Sequence, residues 1–556
     1  MMPEIEEWVA EFQRAKGRPL KILHIGNIAN NAFKNSLALR SCGIECDVLC
    51  NDYYHAMGCP EWECADFVLD GVDLSIPNWE EYDLDGYRRP DWFVQGFYGT
   101  CLDYLIARNQ GKATNDLWDK LQGERATAGR IIQHAGNSPQ LDKFSAQVIA
   151  QRMAAAYTVF GLEGRLDANE LFGIYQSLFF DKGRLDKLFS FYDVVIGYAM
   201  GGLYSLISDT VPYIAYEHGT IRQAPFDGTL AGQLCGLVFR AANNVLITNC
   251  DNIIAARRLQ LPEYRFVPHA ILEYWRDEVR EAASLRKTLS ENGKFDFLIF
   301  HPTRQHWSKA NNPNWEKGND ILIRGFAQFA KNERPGARLI MVEWGETLLE
   351  SKRLIEELGL SSHVKWVAPM PVRRVVLHIA AVDALADQFL IGAWGALMPI
   401  GLMLGKPTLN YVNEDVHRWC FPEMPPVLNC RTEEGVFRML QNAGDPAQAE
   451  VIGKASRDWY DKYHSMEVVA ERLCEAAKSA IEKSQIDESK NYGLEFPVHW
   501  LAQQLMAQQK QIGDLQSRLQ SFENGSGSTL NLVATKGVGW GRGAKATLKK
   551  MRTQKR

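Results

Sequence analysis

A strand, a turn, a helix and a second strand follow one another near the start of the chain, and no other feature constrains the fold as strongly. The segment PLKILHIGNIANNAFKNSLALRSCGIECDVLC predicts a strand at Leu20–Ile25, a helix at about Asn31–Ser41 and a strand at Glu45–Cys50. This order is typical of a doubly wound α/β domain, in which helices cover both faces of a parallel sheet. We therefore expect the chain to begin with such a domain.

Three more strands are predicted further along, at Tyr192–Ala199, Val211–Gly219 and Asn243–Cys250. Between the two groups of strands, at about residues 85–190, lies a long polar and aromatic segment with helical periodicity. We interpret this segment as a helical insertion in the first domain.

A second strand–helix series follows a charged helix. Its strands are predicted at FDFLIFHPTR, ARLIMVEWG and HVKWVAPMP, and its helices at NDILIRGFAQFAKN, LLESKRLIEELGL and VRRVVLHIAA. A chain of 556 residues is too long for one hydrophobic core. We predict two Rossmann-like domains, residues 1–285 and 286–484, that face each other across a cleft. Ligands are expected at the carboxyl ends of the strands.

The run FLIGAWGALMPIGLMLG, Phe389–Gly405, carries no charge. A membrane span needs about 20 predominantly apolar residues, and glycines with a proline would weaken a helix surrounded by lipid. Asp383 and Asp387 precede the run, and GKPTLNYV follows it as the end of a helix and the start of a strand. The run is thus predicted to be the turn and buried helix of a βαβ unit.

Composition and hydrophobic pattern indicate what to expect at the two ends of the chain. The first residues, MMPEIEEWVAEFQRAKGRPL, predict an acidic amphipathic helix, so we expect no signal peptide and a cytoplasmic location. Residues 485–524 show a heptad pattern too short to decide between a single amphipathic helix and a coiled coil that would form a homodimer.

Residues 525–556 contain eight Lys or Arg and no acid, which leaves 54 basic against 67 acidic residues in the remainder, a net charge of −13. We expect a disordered basic tail that could contact the inner face of an anionic membrane or simply solubilise the protein. The acidic remainder argues against nucleic acid as a partner.

The densest group of cysteines is Cys42, Cys46, Cys50, Cys59 and Cys64. Their spacing matches no zinc pattern, and scattered cysteines in a large chain are typical of a reducing compartment. Buried thiols are therefore expected, and no metal site.

The turn after the first strand, HIGNIANNAFKN, lacks the glycine fingerprint of an NAD or FAD site, since only Gly26 remains. Asn27 and the N–H groups at the helix start would suit an anion such as a diphosphate. They would equally suit a helix cap and a turn. The residues alone leave this choice open.

Charged groups also follow two other strands. IAYEHGTIRQAPFDG places Glu217, His218 and Arg222 at a strand end facing the cleft. FHPTRQHWSKANNPNWEKGNDILI places Arg304 after the first strand of the second domain and Lys317 before its first helix. A guanidinium and an ammonium near a helix start can hold a phosphate, although a solvated basic loop would look the same.

Taken in order, these motifs resemble the retaining GT-B glycosyltransferases of family 4 (glycosyl transferases group 1). The resemblance covers about residues 20–480 and rests on GNIANNAFKN, EHG, HPTRQHW with EKGNDILIRGF, and VDALADQFLIGAWGALMPIGLMLGKPTLNY. It implies a GT-B fold and metal-independent transfer with retention from a nucleotide-sugar to a glycan or lipid-linked acceptor, as in polysaccharide biosynthesis. No cofactor beyond the nucleotide-sugar substrate is implied.

The resemblance also assigns roles to residues. His218 would line the donor-sugar pocket, while Arg304 and Lys317 would hold the phosphates. Gly26 would approach the diphosphate, and the base would lie against the backbone near Ala368–Pro371. The residues implied in donor binding are Gly26, Asn27, Glu217, Met370, Pro371, Asp387, Gln388, Gly392 and Gly395.

One departure from the family concerns a pair of glutamates, with seven residues between them, across the helix of the last motif. Counted back from GKP, their positions hold Gly392 and Ile400. Some relatives carry an Asp-Gln pair like Asp387–Gln388 in place of the first glutamate. The second usually binds the ribose, and Ile400 cannot accept a hydrogen bond. This supports an alternative, a non-catalytic GT-B protein that binds sugar nucleotides; a hydrolase or epimerase is a third option.

Overall fold

Two parallel sheets organise the computed structural model, which describes residues 3–51, 55–68, 74, 77–134, 182–208, 210–227, 230–261, 263–273, 279–308 and 316–486. The first sheet has seven strands in the order β3-β2-β1-β4-β5-β6-β7, and the second has six in the order β10-β9-β8-β11-β12-β13. Both orders reverse direction beside the first strand of their domain, as in Rossmann folds. The predicted fold class, two Rossmann-like domains in a GT-B arrangement, is confirmed.

The strands of the first sheet are β1 Lys21–Ile25, β2 Glu45–Cys50, β3 Phe93–Gln95, β4 Val194–Tyr198, β5 Tyr213–Glu217, β6 Asn244–Ile247 and β7 Tyr264–Phe266. Those of the second are β8 Phe297–His301, β9 Ala337–Val342, β10 Val364–Val367, β11 Ala384–Ala386, β12 Thr408–Asn410 and β13 Leu428–Asn429. The register places Ile25 of β1 beside both Leu49 and Gly197, so the loops after β1, β2 and β4 leave the sheet at one edge.

The α-helices are α1 Pro3–Lys16, α2 Asn31–Ser41, α3 Pro60–Cys64, α4 Tyr98–Asn109, α5 Asn115–His134, α6 Lys182–Phe189, α7 Leu203–Ile207, α8 Leu230–Arg240, α9 Ile253–Arg258, α10 Ala282–Leu289, α11 Asn319–Asn332, α12 Leu348–Glu357, α13 Val372–Ala381, α14 Leu397–Met403, α15 Glu414–His417, α16 Glu433–Gly444, α17 Pro446–Tyr463 and α18 Met466–Ile486. Short 3-10 turns lie at Ile28–Asn30, Ala56–Gly58, Trp79–Glu81, Ala199–Gly202, Thr220–Arg222, Ala224–Phe226, Cys250–Asn252 and Val279–Glu281.

The described part of the predicted insertion at 85–190 contains the helices α4, α5 and α6. It also contains a strand, β3, which was not predicted. Phe93–Gln95 pairs with β2 at the edge of the first sheet. This strand has only three residues, too few to show the alternation by which a strand is recognised in a sequence. Residues 135–181 of the insertion lie outside the described residues.

The last helix returns from the second domain to the first. Val469, Leu473 and Ala477 of α18 are fully buried in the core formed by α1, α2 and the first sheet. The predicted range 286–484 therefore runs one helix too far, because α18 completes the first domain. Residues 487–556, with most of the predicted amphipathic helix and the whole basic tail, lie outside the described residues.

The uncharged run folds as predicted, into a turn and α14 between β11 and β12. Met398, Ile400 and Leu402 of this helix are at most 3% exposed, in a core that also holds Trp394. Across the described ranges, no helix is both long and apolar enough to cross a membrane.

The thiols of Cys46, Cys50 and Cys59 are buried, whereas Cys42 and Cys64 are partly exposed. In the described part of the chain, no three His, Cys, Asp or Glu side chains are grouped so that they could hold a metal ion. Burial raises the pKa of Cys46 and Cys59, which keeps both thiols protonated.

Candidate functional site

A cavity of about 380 Å³ lies between the two domains. Several of its lining residues sit just beyond strand ends, among them Ala29 after β1, His218 after β5, Arg304 after β8 and Asp387 after β11. A cavity of this size at the carboxyl ends of parallel strands is where ligands bind in doubly wound folds. It is the candidate site.

The wall from the second domain brings together four predicted residues, Arg304, Lys317, Asp387 and Gln388. Lys317 Nζ donates to Gln388 Oε1 at 2.7 Å. Thr303 Oγ1 donates to Asp387 Oδ1 at 3.0 Å, while Asp387 Oδ2 is buried and has no hydrogen-bond partner among the described residues. The wall thus presents two cations and one carboxylate oxygen that could accept from a ligand.

Burial shifts the pKa values of the charged side chains on this wall. It lowers the pKa of Lys317 to about 8, and the nearby Asp387 carboxylate only partly opposes the effect. Burial also lowers the pKa of Arg304 and raises that of Asp387. A buried ammonium without a full counter-charge is a group that an anionic ligand would stabilise.

Two residues that sequence reasoning missed hold the Arg304 loop in place. Asn319, the first residue of α11, donates from Nδ2 to the Arg304 carbonyl at 3.2 Å and accepts from the His306 N–H at 3.0 Å. The same Nδ2 lies 2.8 Å from His301 Nε2, and His301 Nδ1 lies 2.9 Å from the Ala386 carbonyl. This network ties the end of β8 to β11 and to α11.

On the opposite wall, Asn31 joins two histidines. Its Nδ2 donates to the Ile28 carbonyl at 2.9 Å and to His218 Nδ1 at 3.1 Å, and its Oδ1 lies 3.2 Å from His269 Nδ1. His218 Nδ1 is therefore an acceptor, which puts the proton of the neutral ring on Nε2. Burial, aided by the charges of Lys34 and Arg222, lowers the pKa of His218 to about 4, so the ring is neutral at pH 7.

In the first-domain loop after β1, Ala29 lines the cavity, but Gly26 and Asn27 hold the loop in place and do not line it. Asn27 Oδ1 accepts from the Phe33 N–H at 2.9 Å, and its Nδ2 donates to the Gly58 carbonyl at 2.7 Å. Gly26 has φ +85°, and a Cβ there would lie 3.4 Å from Tyr198. Of the two readings left open for this loop, the structure favours the cap and turn. The prediction that Asn27 and Gly26 face a ligand is not supported, because neither lines the cavity.

Three other predicted residues also lie off the cavity wall. Glu217 is fully buried at the end of β5, and burial raises its pKa to about 7. Pro371 immediately precedes α13, and its carbonyl accepts hydrogen bonds from the Arg374 and Val375 N–H groups of that helix. Gly392 has φ +73°, and a Cβ there would lie 2.9 Å from Tyr411 Cε1. The backbone conformation of the turn and the close contact explain the glycine without a ligand. By contrast, Met370 and Gly395 line the cavity as predicted.

Ile400 lines the cavity from α14 and is 3% exposed. Around it the wall is apolar, with Met370, Val375, Val376 and Leu397. Asn410 of β12 accepts from the Gln388 N–H at 3.1 Å and does not line the cavity. The lining side chains named around Ile400 therefore offer an apolar packing surface.

The first-domain wall contains further residues that the sequence did not indicate. Lys34 of α2 and Glu63 of α3 form an ion pair of 3.2 Å within the lining, next to Trp62. Nothing in the sequence links position 34 to position 63. Only the packing of Ala56–Cys64 against the loop after β1 brings them together.

A larger depression of about 830 Å³ lies elsewhere, between α1, α2 and α18. Its polar lining includes Glu6, Glu273 and Glu467 and no basic residue. It carries no strand-end residues, so the cavity between the domains remains the candidate site.

Comparison with known proteins gives fold neighbours only. No family model matches the chain, and no curated protein matches it. Among solved structures, sucrose-phosphate synthase from Thermosynechococcus elongatus is 10% identical over 85% of this chain and 100% of that one, with a TM-score of 0.47. Anabaena HepE in complex with UDP-glucose is 16% identical over 54% of this chain and 82% of that one, with a TM-score of 0.42.

A third similar structure is UDP-GlcNAc 2-epimerase from Neisseria meningitidis bound to UDP-GlcNAc. It is 11% identical over 82% of this chain and 99% of that one, with a TM-score of 0.41. At such identities and TM-scores the likeness decides neither the reaction nor the substrate. Function has to be argued from the residues of the cavity.

Proposed function

We propose that the protein is a glycosyltransferase that moves a sugar from a nucleotide-sugar to an acceptor, with retention and without a metal ion. The observation that carries the proposal is the second-domain wall, where Arg304 and Lys317 line one cavity with Asp387. Two cations with a carboxylate beside them suit a ligand that combines a diphosphate with hydroxyl groups.

The chemistry of the leaving group explains the need for two cations. When the bond between the anomeric carbon and the phosphate oxygen breaks, negative charge grows on the departing diphosphate and the sugar becomes oxocarbenium-like. Arg304 can bind two phosphate oxygens side by side, and Lys317 adds a second charge at a largely buried position. Because these side chains supply the positive charge, the proposed step needs no metal ion.

Asp387 and His218 suit the sugar between them. The unpartnered Oδ2 of Asp387 can accept from a sugar hydroxyl. The Nε2–H of neutral His218 can donate to a sugar oxygen from the other wall. In the proposed retaining step, the acceptor hydroxyl attacks the face that the diphosphate leaves, and a leaving phosphate oxygen takes the hydroxyl proton. No protein base is required.

A second candidate function follows from Ile400. A nucleotide whose ribose lay against the apolar wall around Ile400 would meet an isoleucine in place of the family's glutamate. A protein that binds a sugar nucleotide without turning it over would tolerate this loss more easily than an enzyme would. In that reading Arg304 and Lys317 still hold the diphosphate.

We further propose a glycan or lipid-linked acceptor, with the eight basic residues of 525–556 steering the protein to an anionic membrane. Each basic residue near such a surface contributes up to about 1 kcal/mol. Co-sedimentation with anionic vesicles at low and high salt tests the steering; binding that survives removal of 525–556 would contradict it.

The function itself is tested by screening nucleotide-sugars for thermal stabilisation and for slow hydrolysis by the full-length protein. A glycosyltransferase should be stabilised by one nucleotide-sugar and should release its sugar slowly. Stabilisation without any release, with or without added acceptors, would favour the non-catalytic binding protein. A chain that no nucleotide-sugar stabilises would contradict both.

A further inference from the structure

One group of side chains on the cavity wall has no part in the donor chemistry proposed above. Lys34, Glu63 and Trp62 all line the cavity from the first domain. They are only 4%, 6% and 6% exposed, respectively. Lys34 Nζ lies 3.2 Å from Glu63 Oε1.

Stability alone does not account for this ion pair. Moving two charges out of water is costly, and well-packed apolar residues of similar volume often serve a buried site equally well or better. The Lys34–Glu63 pair is nevertheless placed where a ligand can reach it, in the wall of the cavity. Such a position is typical of charged groups that recognise a ligand.

The opposite charges of Lys34 and Glu63 indicate which kind of ligand this group can bind. The ammonium and the carboxylate neutralise each other, so an anionic ligand would meet Glu63 and a cationic one would meet Lys34. A sugar hydroxyl can accept from the ammonium and donate to the carboxylate at the same time. Trp62 adds a flat apolar surface of the kind that packs against the C–H face of a sugar ring.

The segment that carries Trp62 and Glu63 is fixed against the second domain. Val372 of α13 packs against the aromatic cluster that contains Trp62, Phe67 and Trp79. Asp66 forms an ion pair with Arg374 of the same helix. The group therefore faces the donor wall across the cavity at a defined position.

We propose that Lys34, Glu63 and Trp62 form an acceptor subsite for an uncharged sugar. The inference rests on the proposed glycosyl transfer, because it assigns the second substrate of that reaction. An acceptor sugar held there would present a hydroxyl to the donor sugar between Asp387 and His218.

The test measures binding of a methyl glycoside and its uronic-acid counterpart by ligand-observed NMR, with the protein saturated with a nucleoside diphosphate. We expect the wild type to bind the neutral glycoside and to bind the uronic acid at least tenfold more weakly. Glu63→Gln should weaken binding of the neutral glycoside at least fivefold. A long-chain alkyl glycoside, tested alongside, separates a free glycan from a lipid-linked acceptor by whether the chain adds affinity.

Glu414→Gln is the matched control, since it makes the same change at an ion-paired carboxylate that is 49% exposed and lies off the cavity. If Glu63→Gln lowers thermal stability, the double variant Lys34→Met/Glu63→Met, which leaves no unpaired charge, replaces it. Equal glycoside binding by wild type and these variants, or a preference for the uronic acid, would overturn the subsite. Glycoside binding without sugar release from any nucleotide-sugar would keep the subsite and contradict only the glycosyl transfer.

Discussion

The two walls of the cavity differ in how well local sequence predicts them. On the second-domain wall, Arg304, Lys317, Asp387 and Gln388 all lie where the motifs placed them. On the first-domain wall only His218 does, while Gly26, Asn27 and Glu217 are structural. A motif at a strand end therefore predicts the cavity wall well when its side chains reach the cavity directly. It is misleading when the same residues support a loop.

The first-domain wall shows the physical reason. Ala29 and Asn30 have positive φ angles of 49° and 56°. Such a backbone is unfavourable for residues other than glycine and persists only when its surroundings hold it. Here the Asn27 and Asn30 side chains bind the carbonyls of Gly58 and Cys59. The asparagines that looked suited to an anion are used to hold the loop.

The largest effect expected from the comparison concerns His218. His218→Ala should lower turnover roughly a hundredfold, the usual loss when one donor to a transition state is removed. Affinity for the free nucleoside diphosphate should change less than twofold, because His218 is on the wall opposite the phosphate cations. Turnover and the calorimetric affinity for the nucleoside diphosphate are measured on one preparation of the variant. Equal losses of turnover and of affinity would refute the division of roles between the two walls.

The next largest effect concerns Arg304. Arg304→Ala should weaken nucleoside diphosphate binding at least tenfold, since it removes a charge-assisted contact of about 1.5–3 kcal/mol. Arg438→Ala, at a side chain 67% exposed on α16, is the matched control and should leave affinity unchanged. Calorimetry that finds the two variants alike would remove Arg304 from the site.

A smaller effect is expected from pH. The pKa of Lys317 is lowered to about 8 by burial, so the unliganded protein loses this charge as pH rises through 8. Only the protonated form attracts the diphosphate, and affinity should therefore fall severalfold between pH 7 and pH 9. Arg304→Ala should move this pH dependence to higher pH, because the charge of Arg304 helps to lower the pKa of Lys317. Lys317→Met should abolish it, and a flat profile in the wild type would count against Lys317.

The smallest effect on nucleotide affinity is expected at Ile400. Ile400→Glu should leave affinity nearly unchanged and lower the thermal midpoint, because the helix around it is buried and offers a carboxylate no partner. Ile400→Leu controls for loss of packing. A gain in nucleotide affinity of tenfold or so would instead indicate a degraded enzyme in which the glutamate restores a lost contact of about 1–2 kcal/mol.

Much of the fold could be predicted because both domains repeat apolar strands and periodic helices. The predicted ranges of α2, α11 and α13 match the structure. The features that the sequence did not predict were either short, like β3, or depended on packing between segments that are far apart in the chain. The return of α18 to the first core and the meeting of Lys34 with Glu63 join positions far apart in the chain, and no local pattern records them.

A crystal structure of the protein with the nucleoside diphosphate that stabilises it most would show whether the second-domain wall holds the donor diphosphate. We expect phosphate oxygens within hydrogen-bond distance of the Arg304 guanidinium and the Lys317 ammonium, with His218 on the opposite wall. Phosphates bound to Lys34, or to the loop of Gly26 and Asn27, would contradict it.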